Sequence, residues 1–167
     1  FYNLEILKRM GYFKKIGISI YEIDELKYLI HKYKIQVVQC PFNLLDRRIV
    51  TSGWYNKLKL KKIEVHARSI FAKGLLVNNK FYKEKLYFKK WQKIFSNWFQ
   101  WLNKCEINPI DYCLNDLQNY DFDKIVIGIN SKDNLQKIVN FKKIKFKNKV
   151  FKFNINDKKL LDPRKWH

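Results

Sequence analysis

Residues 63–76, IEVHARSIFAKGLL, constrain the fold of this chain more than any other stretch. They begin with alternating apolar and polar residues, turn polar at Arg68 and Ser69, and end in a flexible Lys73-Gly74 pair. A strand with polar side chains at its carboxyl end, followed by a glycine-containing loop, is what the ligand-binding rim of a barrel or an open α/β sheet needs. The pattern therefore predicts a strand that leads into a binding loop.

Three other stretches have the same design, namely residues 16–19 (IGIS), 35–39 (IQVVQ) and 125–130 (IVIGIN). Each is a run of β-branched residues that ends in Ser, Gln or Asn. Segments of helical length separate these stretches, and this alternation predicts parallel strands joined by right-handed crossovers. We expect the four strand ends to form one shared site.

The chain divides into predicted elements with short connections. The predicted strands cover residues 14–19, 35–39, 63–69 and 124–129. The first predicted helix covers residues 2–13, with Leu4, Leu7 and Met10 on one face, and the second starts at Asp24, with Leu26, Leu29 and Ile30 facing inward. A third helix follows the 43–48 loop and runs through about residue 60. Further helices are predicted over residues 109–119, with Pro109 in the first turn, and from a cap around residues 130–133 through about residue 141. Residues 142–159 give no firm pattern.

Residues 80–104 are rich in aromatic side chains. Trp91, Phe95, Trp98 and Leu102 fall at helical spacing, which predicts a long amphipathic helix. A basic helix with aromatic residues can lie on a membrane surface or stack nucleobases. Because the face opposite this stripe is polar, we favour the interpretation that the aromatic residues pack on the rest of the domain.

The formal net charge of +20 at first indicates a nucleic-acid partner. However, only five of the 35 basic residues are Arg, the residue that bidentate recognition of bases and phosphates favours. A solvated basic surface is therefore our preferred interpretation, with an anionic ligand or partner as the alternative. A nucleic-acid-binding module stays a minor hypothesis. No stretch approaches the roughly 20 apolar residues of a membrane span.

The cysteines and histidines show no spacing that is typical of a metal site. Cys40, Cys105 and Cys113 are odd in number and form no C-x-x-C pair, which is typical of reduced thiols in a cytoplasmic protein. The histidines His31, His66 and His167 are scattered along the chain. His66 can either line a site or pack within its strand, and the sequence leaves both readings open.

With 167 residues, the chain is long enough for one domain with a core. It starts with Phe1, and no charged segment with an apolar run precedes the first predicted strand. We interpret this start as a cut end.

Four segments, in this order and spacing, resemble the second half of an aldo/keto reductase: KKIGISIY, IQVVQCPFNLLDRR, IEVHARSIFAKGLL and IVIGINSKDNLQKIV. The terminal LLDPRKW is similar to the end of bacterial members. The resemblance covers about residues 3–166. It implies an α/β fold that is a partial (β/α)8 TIM barrel, with strands five to eight. Residues 1–167 would form the C-terminal portion of one such domain, with 80–104 as a long helical insertion after strand seven and 142–167 as a tail.

The resemblance also implies which residues hold a nicotinamide cofactor, NADP, with NAD as the alternative. Ser19 and Gln39 would contact the nicotinamide amide, and Arg68 stands where many members stack an aromatic ring on the nicotinamide. The segment with Ser69, Phe71, Gly74 and Leu75 would line the pyrophosphate. The adenosine end would be received by Gly128, Asn130, Asp133 and Asn134. Three departures from the family pattern bear on affinity and cofactor choice. Ile20 stands in place of Asn, and Asn134 stands in place of Arg or Gln. The strand-eight loop also lacks the Lys-Ser pair that grips the 2′-phosphate in several branches of the family.

The resemblance further implies NAD(P)H-dependent reduction of a small-molecule carbonyl compound to an alcohol. The family's catalytic Asp, Tyr, Lys and His belong to the first half of the barrel, so the sequence offers no catalytic residue and no metal ligand. As given, the chain is expected to be inactive alone. The alternative is a catalytically inactive nucleotide-binding or interaction subunit with the same fold.

Overall fold

A computed structural model describes residues 1–141, 150–155 and 157–166. The unassigned tail, residues 142–159, lies partly outside the described residues. The chain forms two compact units, which are named here by their content. The sheet unit comprises Phe1–Phe42, Arg47–Arg68 and Phe122–Val126, and the helical unit comprises Asn43–Asp46, Ser69–Asp121 and Ile127–His167.

The sheet unit contains a four-stranded sheet with the order β1-β2-β3-β4. The strands are β1 (Gly17–Ser19), β2 (Val37–Pro41), β3 (Glu64–Arg68) and β4 (Lys124–Val126). All three neighbouring pairs are parallel, so the predicted α/β class and strand direction are confirmed. Each strand is shorter than its predicted segment or displaced from it by one or two residues.

Burial alternates along the two central strands, as a sheet with one covered face requires. Val38 and Val65 are fully buried, whereas Gln39 and His66 are half-buried on the opposite face. Gly17 fixes the approach of β1 to β2, because a Cβ atom at this position would lie 2.7 Å from the Cβ atom of Val37. A close strand–strand approach is one reason for glycine within a strand.

Four helices belong to the sheet unit, namely α1 (Tyr2–Arg9), α2 (Ile23–Lys32), α3 (Arg48–Thr51) and α4 (Trp54–Leu60). The single helix predicted to end near residue 60 is wrong, because Gly53 adopts a left-handed φ of 76° and separates α3 from α4. The apolar face predicted for α1 is exposed in this unit, since Leu4 is 39% exposed and Met10 is 64% exposed. In α2 only Leu26 is buried.

The helical unit is built from short segments around one longer helix. These segments are the 3₁₀ turn Ala72–Gly74, α5 (Phe81–Glu84), the 3₁₀ helix Leu86–Trp91, α6 (Gln92–Lys104), α7 (Pro109–Leu117), α8 (Lys132–Val139), α9 (Lys158–Leu161) and the 3₁₀ turn Pro163–Lys165. Pro109 occupies the first turn of α7, as predicted. Among the described residues, no helix has both the length and the apolar character needed to cross a membrane.

The aromatic stripe of α6 forms the core of the helical unit, which confirms the packing interpretation. Phe95 and Trp98 are fully buried, and Leu102 is almost so. The indole Nε1 of Trp98 donates a hydrogen bond of 3.0 Å to the Leu76 carbonyl oxygen, so its polar atom is satisfied inside the core. The expectation of one long helix over 80–104 is wrong, because Lys85 is extended (φ −110°, ψ 120°) and ends α5.

An ion pair stabilises the C-terminal segment of the helical unit. The Asp162 side chain is 2% exposed and accepts hydrogen bonds from Arg164 Nε (3.0 Å to Oδ1) and Nη2 (2.8 Å to Oδ2). The Arg164 guanidinium holds the pKa of the Asp162 carboxyl below its ordinary value, although burial acts in the opposite direction. The folded chain therefore favours the ionised form of Asp162.

We predict that Asp162→Asn lowers the free energy of unfolding at pH 7 by about 1.5–3 kcal/mol, the range for a hydrogen bond to a charged group. Because folding lowers the pKa of Asp162, its contribution is complete above the unfolded value of about 4 and is lost as the pH falls through the folded value. Urea denaturation of both proteins between pH 7 and pH 3 measures the difference, which should shrink below about pH 4.

The matched control is Asp24→Asn, which removes an exposed ion pair between Asp24 and Lys27 (2.8 Å). That substitution should change the unfolding free energy by about 0.5 kcal/mol or less. Equal effects of the two substitutions at pH 7 would contradict the role given to Asp162.

Candidate functional site

The carboxyl edge of the parallel sheet brings together three of the predicted site residues. Ser19 ends β1, and its register partner on β2 is Gln39. The Ser19 hydroxyl donates a hydrogen bond of 3.2 Å to Gln39 Oε1. Ser19 is exposed and Gln39 is half-buried, so this hydroxyl–amide pair is accessible to a ligand.

Arg68 ends β3 and reaches across β2 to the end of β1. Its Nη2 donates a hydrogen bond of 2.9 Å to the Ile20 carbonyl oxygen, and its guanidinium carbon lies 4.0 Å from the centroid of the Tyr21 ring. A cation stacked on an aromatic ring is attracted by the negative face of that ring. Arg68 therefore presents a planar charged group beside the Ser19–Gln39 pair.

His66 lies on the same face of the sheet, because it is the register partner of Gln39 on β3. Its Nε2 lies 3.2 Å from Glu64 Oε2, and its side chain is only 15% exposed. Glu64 also contacts Lys15, and this ammonium group lowers the pKa of the Glu64 carboxyl. His66 thus lies beside the predicted site residues and also has a structural partner.

The loop after β3 belongs to the helical unit and has an unusual backbone. Ser69, Ala72, Lys73 and Gly74 all have positive φ, and Gly74 has the largest value of 95°. Hydrogen bonds within the loop hold this shape, including Ala72 N–H to the Ser69 carbonyl oxygen (2.8 Å) and Gly74 N–H to the Phe71 carbonyl oxygen (2.9 Å). The loop is therefore a compact turn with a defined conformation.

Two predicted site residues of this loop have side chains that pack in or against the core of the helical unit. Leu75 is fully buried, and Phe71 packs against the aromatic cluster of the helical unit. The Leu75 side chain is therefore occupied in the core, and only its backbone can serve a ligand. The side chain of Lys73 is exposed, and its Nζ lies 3.4 Å from the Pro163 carbonyl oxygen.

Asn43 organises the start of this loop, a role that was not predicted from the sequence. It is 7% exposed, and its Nδ2 donates a hydrogen bond of 3.0 Å to the Ser69 carbonyl oxygen. Its Oδ1 accepts hydrogen bonds of 2.9 Å from the N–H groups of Leu45 and Asp46. An Asn that precedes a turn can bond backbone groups two and three residues ahead, and this was the available signal in NLLD.

The remaining predicted residues lie around the start of α8 in the helical unit. Gly128 and Asn130 are exposed, and Asp133 and Asn134 lie in the first turn of the helix. The N-cap is Ser131, whose hydroxyl accepts a hydrogen bond of 3.2 Å from the Asn134 N–H. Within residues 1–141, 150–155 and 157–166, no group of three or more His, Cys, Asp or Glu side chains could hold a metal ion.

We predict that Asn43→Ala lowers the free energy of unfolding by about 2 kcal/mol or more, because it removes three hydrogen bonds and leaves buried backbone groups without their partner. Urea denaturation measures the loss. The control is Asn78→Ala, since the exposed Asn78 accepts one hydrogen bond, from Lys80 N–H at 3.0 Å. A loss for Asn43→Ala no greater than that of the control would refute the anchoring role.

Comparison with known proteins identifies the family. The model of the aldo/keto reductase family matches residues 1–153, which is most of the chain. A search of curated protein sequences gave no match. Members of the matched family are oxidoreductases that generally use NAD(P)H and act on small carbonyl substrates. The family match agrees with the resemblance read from the four strand segments, and this chain belongs to the aldo/keto reductase family.

Proposed function

We propose that this chain contributes the nicotinamide-binding residues of an NAD(P)H-dependent aldo/keto reductase that reduces a carbonyl compound to an alcohol. In this proposal the four parallel strands are part of a (β/α)8 barrel, and the cofactor is NADP(H), with NAD(H) as the alternative. Family membership supports the reaction class. The single structural observation that carries the proposal is the Ser19–Gln39 pair, with Arg68 beside it, at the carboxyl edge of the sheet.

The chemistry of this pair fits a carboxamide. A carboxamide has one carbonyl acceptor and an NH₂ donor group, and a hydroxyl together with a side-chain amide offers both complementary partners. The carboxyl edge of parallel strands is where ligands bind in α/β folds. Ser19 and Gln39 already lie within hydrogen-bond distance of each other, so binding would need little rearrangement of either side chain. When bound, the nicotinamide ring supplies the hydride.

Arg68 has a separate role in this proposal. Its guanidinium is flat, and the Tyr21 ring 4.0 Å away holds it in a fixed orientation beside the Ser19–Gln39 pair. A charged guanidinium stacked on a nicotinamide ring differs electronically from the aromatic ring that many family members stack there. Arg68 would orient the ring and exclude water from one side of it.

The residues of the helical unit enter this proposal from the family resemblance alone. The pyrophosphate would be contacted by the segment with Ser69, Phe71, Gly74 and Leu75. The adenosine end would be contacted by the segment from Gly128 to Asn134. The first turn of α8 suits an anion because of the positive end of the helix, but the exposed Asp133 carboxylate opposes an added phosphate. This opposition is the physical reason to keep NAD(H) as the alternative cofactor.

We assign no catalytic residue in this chain. A general acid must lie within hydrogen-bond reach of the substrate oxygen, and its pKa must suit the operating pH. Here Tyr21, the tyrosine nearest the Ser19–Gln39 pair in sequence, already contacts Arg68. The chain's own residues would therefore bind and orient the cofactor.

We predict that Gln39→Ala weakens NADPH binding about two- to tenfold, the effect of one neutral hydrogen bond. Titration of the chain with NADPH, followed by the fluorescence of the reduced nicotinamide, measures this. The matched control is Gln100→Ala, which removes the same side chain from an exposed position on α6. That variant should bind NADPH as the unmodified chain does.

Saturable NADPH binding that responds equally to both substitutions would contradict the assignment of Gln39. Absence of saturable binding of either NADPH or NADH at millimolar concentration would contradict the cofactor proposal for this chain. Binding without oxidation of NADPH by any of a panel of aldehydes and ketones, measured with the product of the intact gene, would favour the nucleotide-binding subunit without catalysis.

A further inference from the structure

The helical unit has a basic recess whose lining includes none of the residues assigned to the cofactor. It has a volume of about 460 Å³, and four of its eight lining residues are lysines, namely Lys83, Lys89, Lys90 and Lys93. Among the residues that the structure describes, no Asp or Glu lines it, and this includes Glu84, which is adjacent to Lys83 in sequence. Small-molecule sites typically have volumes of about 300–1,000 Å³, so the recess can hold a small ligand.

The charge of this recess is mostly uncompensated. Lys90 forms an ion pair with Asp157 (2.9 Å). Across the described ranges, Lys83, Lys89 and Lys93 have no carboxylate within ion-pair distance, although Lys83 lies over the Tyr82 ring. Three ammonium groups on one concave surface repel one another, and an anion between them would relieve that repulsion.

Neutral polar groups complete the lining. Gln92, Ser96 and Asn97 all lie on the first two turns of α6 and offer amide and hydroxyl donors. Gln92 is the first residue of this 13-residue helix, so the positive end of the helix dipole lies at the recess. The recess therefore combines charged and neutral donors, which together suit an oxyanion better than an apolar ligand.

Buried aromatic side chains fix the backbone that carries the lysines. Tyr82 is 3% exposed and stacks on Phe99, with ring centroids 5.9 Å apart and an interplanar angle of 11°. Phe88 is fully buried and contacts Phe95, with ring centroids 6.5 Å apart. Lys83 and Lys89 follow these two anchors directly in the sequence, so the positions of their Cα atoms are held by core packing.

We propose that this recess binds a small anion with two or more phosphate groups, through residues that the proposed nicotinamide site does not use. Lysine ammonium groups suit phosphate as compact point charges with several donors each. Several lysines around one recess favour a multivalent anion over a monovalent one, because each additional charge interacts with the same set of ammonium groups. The buried Tyr82 ring leaves no free aromatic face for a base, so the ligand is recognised through its phosphates.

The test measures binding of inorganic pyrophosphate to the full chain at low ionic strength by isothermal titration calorimetry. The test variant combines Lys83→Gln, Lys89→Gln and Lys93→Gln. The control variant combines Lys14→Gln, Lys61→Gln and Lys104→Gln, three exposed lysines outside the recess, so that both variants lose the same net charge. Circular dichroism checks that both variants fold.

We expect one saturable pyrophosphate site on the unmodified chain and on the control variant. The test variant should bind at least about tenfold more weakly, which corresponds to about 1.4 kcal/mol of lost interaction. A second variant, Ser96→Asp, places a carboxylate in the recess and should weaken pyrophosphate binding to a similar degree. NADPH binding should be weakened by Gln39→Ala and not by the test variant, which separates this proposal from the proposed function.

Equal loss of pyrophosphate binding in the test and control variants would overturn the proposal, because net charge alone would then explain the affinity. Absence of saturable binding to the unmodified chain at millimolar pyrophosphate would also overturn it. Unchanged pyrophosphate affinity in Ser96→Asp would place the anion outside this recess.

Discussion

The parallel register of β1, β2 and β3 is the constraint on which the candidate nicotinamide site depends. Side chains alternate between the two faces of a strand, so the pairing of Ser19 with Gln39, and of Gln39 with His66, places all three on one face. A slip of one residue would bring Val38 to that face and bury Gln39. The fully buried Val38 and Val65 oppose such a slip, since it would expose both to water. The core face of the sheet therefore fixes the polar face.

The helical unit follows a different physical logic. Its core is a network of aromatic rings that includes Trp98, whose ring centroid lies 5.3 Å from those of both Tyr112 and Phe153. Aromatic pairs at such separations contribute beyond the area they bury. This packing holds α5 and the longer α6 in place, although α5 spans only Phe81–Glu84 and would not be stable alone. The aromatic residues serve as structural anchors, and the lysines between them remain available to solvent.

The sequence predicted the strands and their direction well, because β-branched runs with polar ends leave few alternatives at this spacing. It also predicted the aromatic stripe of α6, because the helical spacing of the apolar residues agreed with a polar opposite face. The predicted continuous helices were wrong at Gly53 and Lys85. At both positions the backbone leaves the helical conformation, although the spacing of apolar residues along the sequence continues. The exposed face of α1 shows that apolar spacing identifies a helix and not the surface that covers it.

The candidate site was predictable only in part. Ser19, Gln39 and Arg68 follow from strand ends and register, whereas Asn43 acts through a hydrogen bond to the carbonyl oxygen of Ser69, 26 residues away, which no local pattern encodes. The stacking of Arg68 on Tyr21 likewise joins two positions far apart in the chain. Contacts of this kind depend on the three-dimensional arrangement of the loops and cannot be read from periodicity.

The most direct measurement follows the side-chain amide resonances of Gln39 and the backbone amide of Ser19 by NMR while nicotinamide mononucleotide is added to the chain. Nicotinamide mononucleotide carries the carboxamide but lacks the adenosine half, so it tests the Ser19–Gln39 pair without the other proposed contacts. The proposal predicts saturable shifts at both residues and none at the exposed Gln100. Saturable shifts confined to other parts of the chain would contradict it.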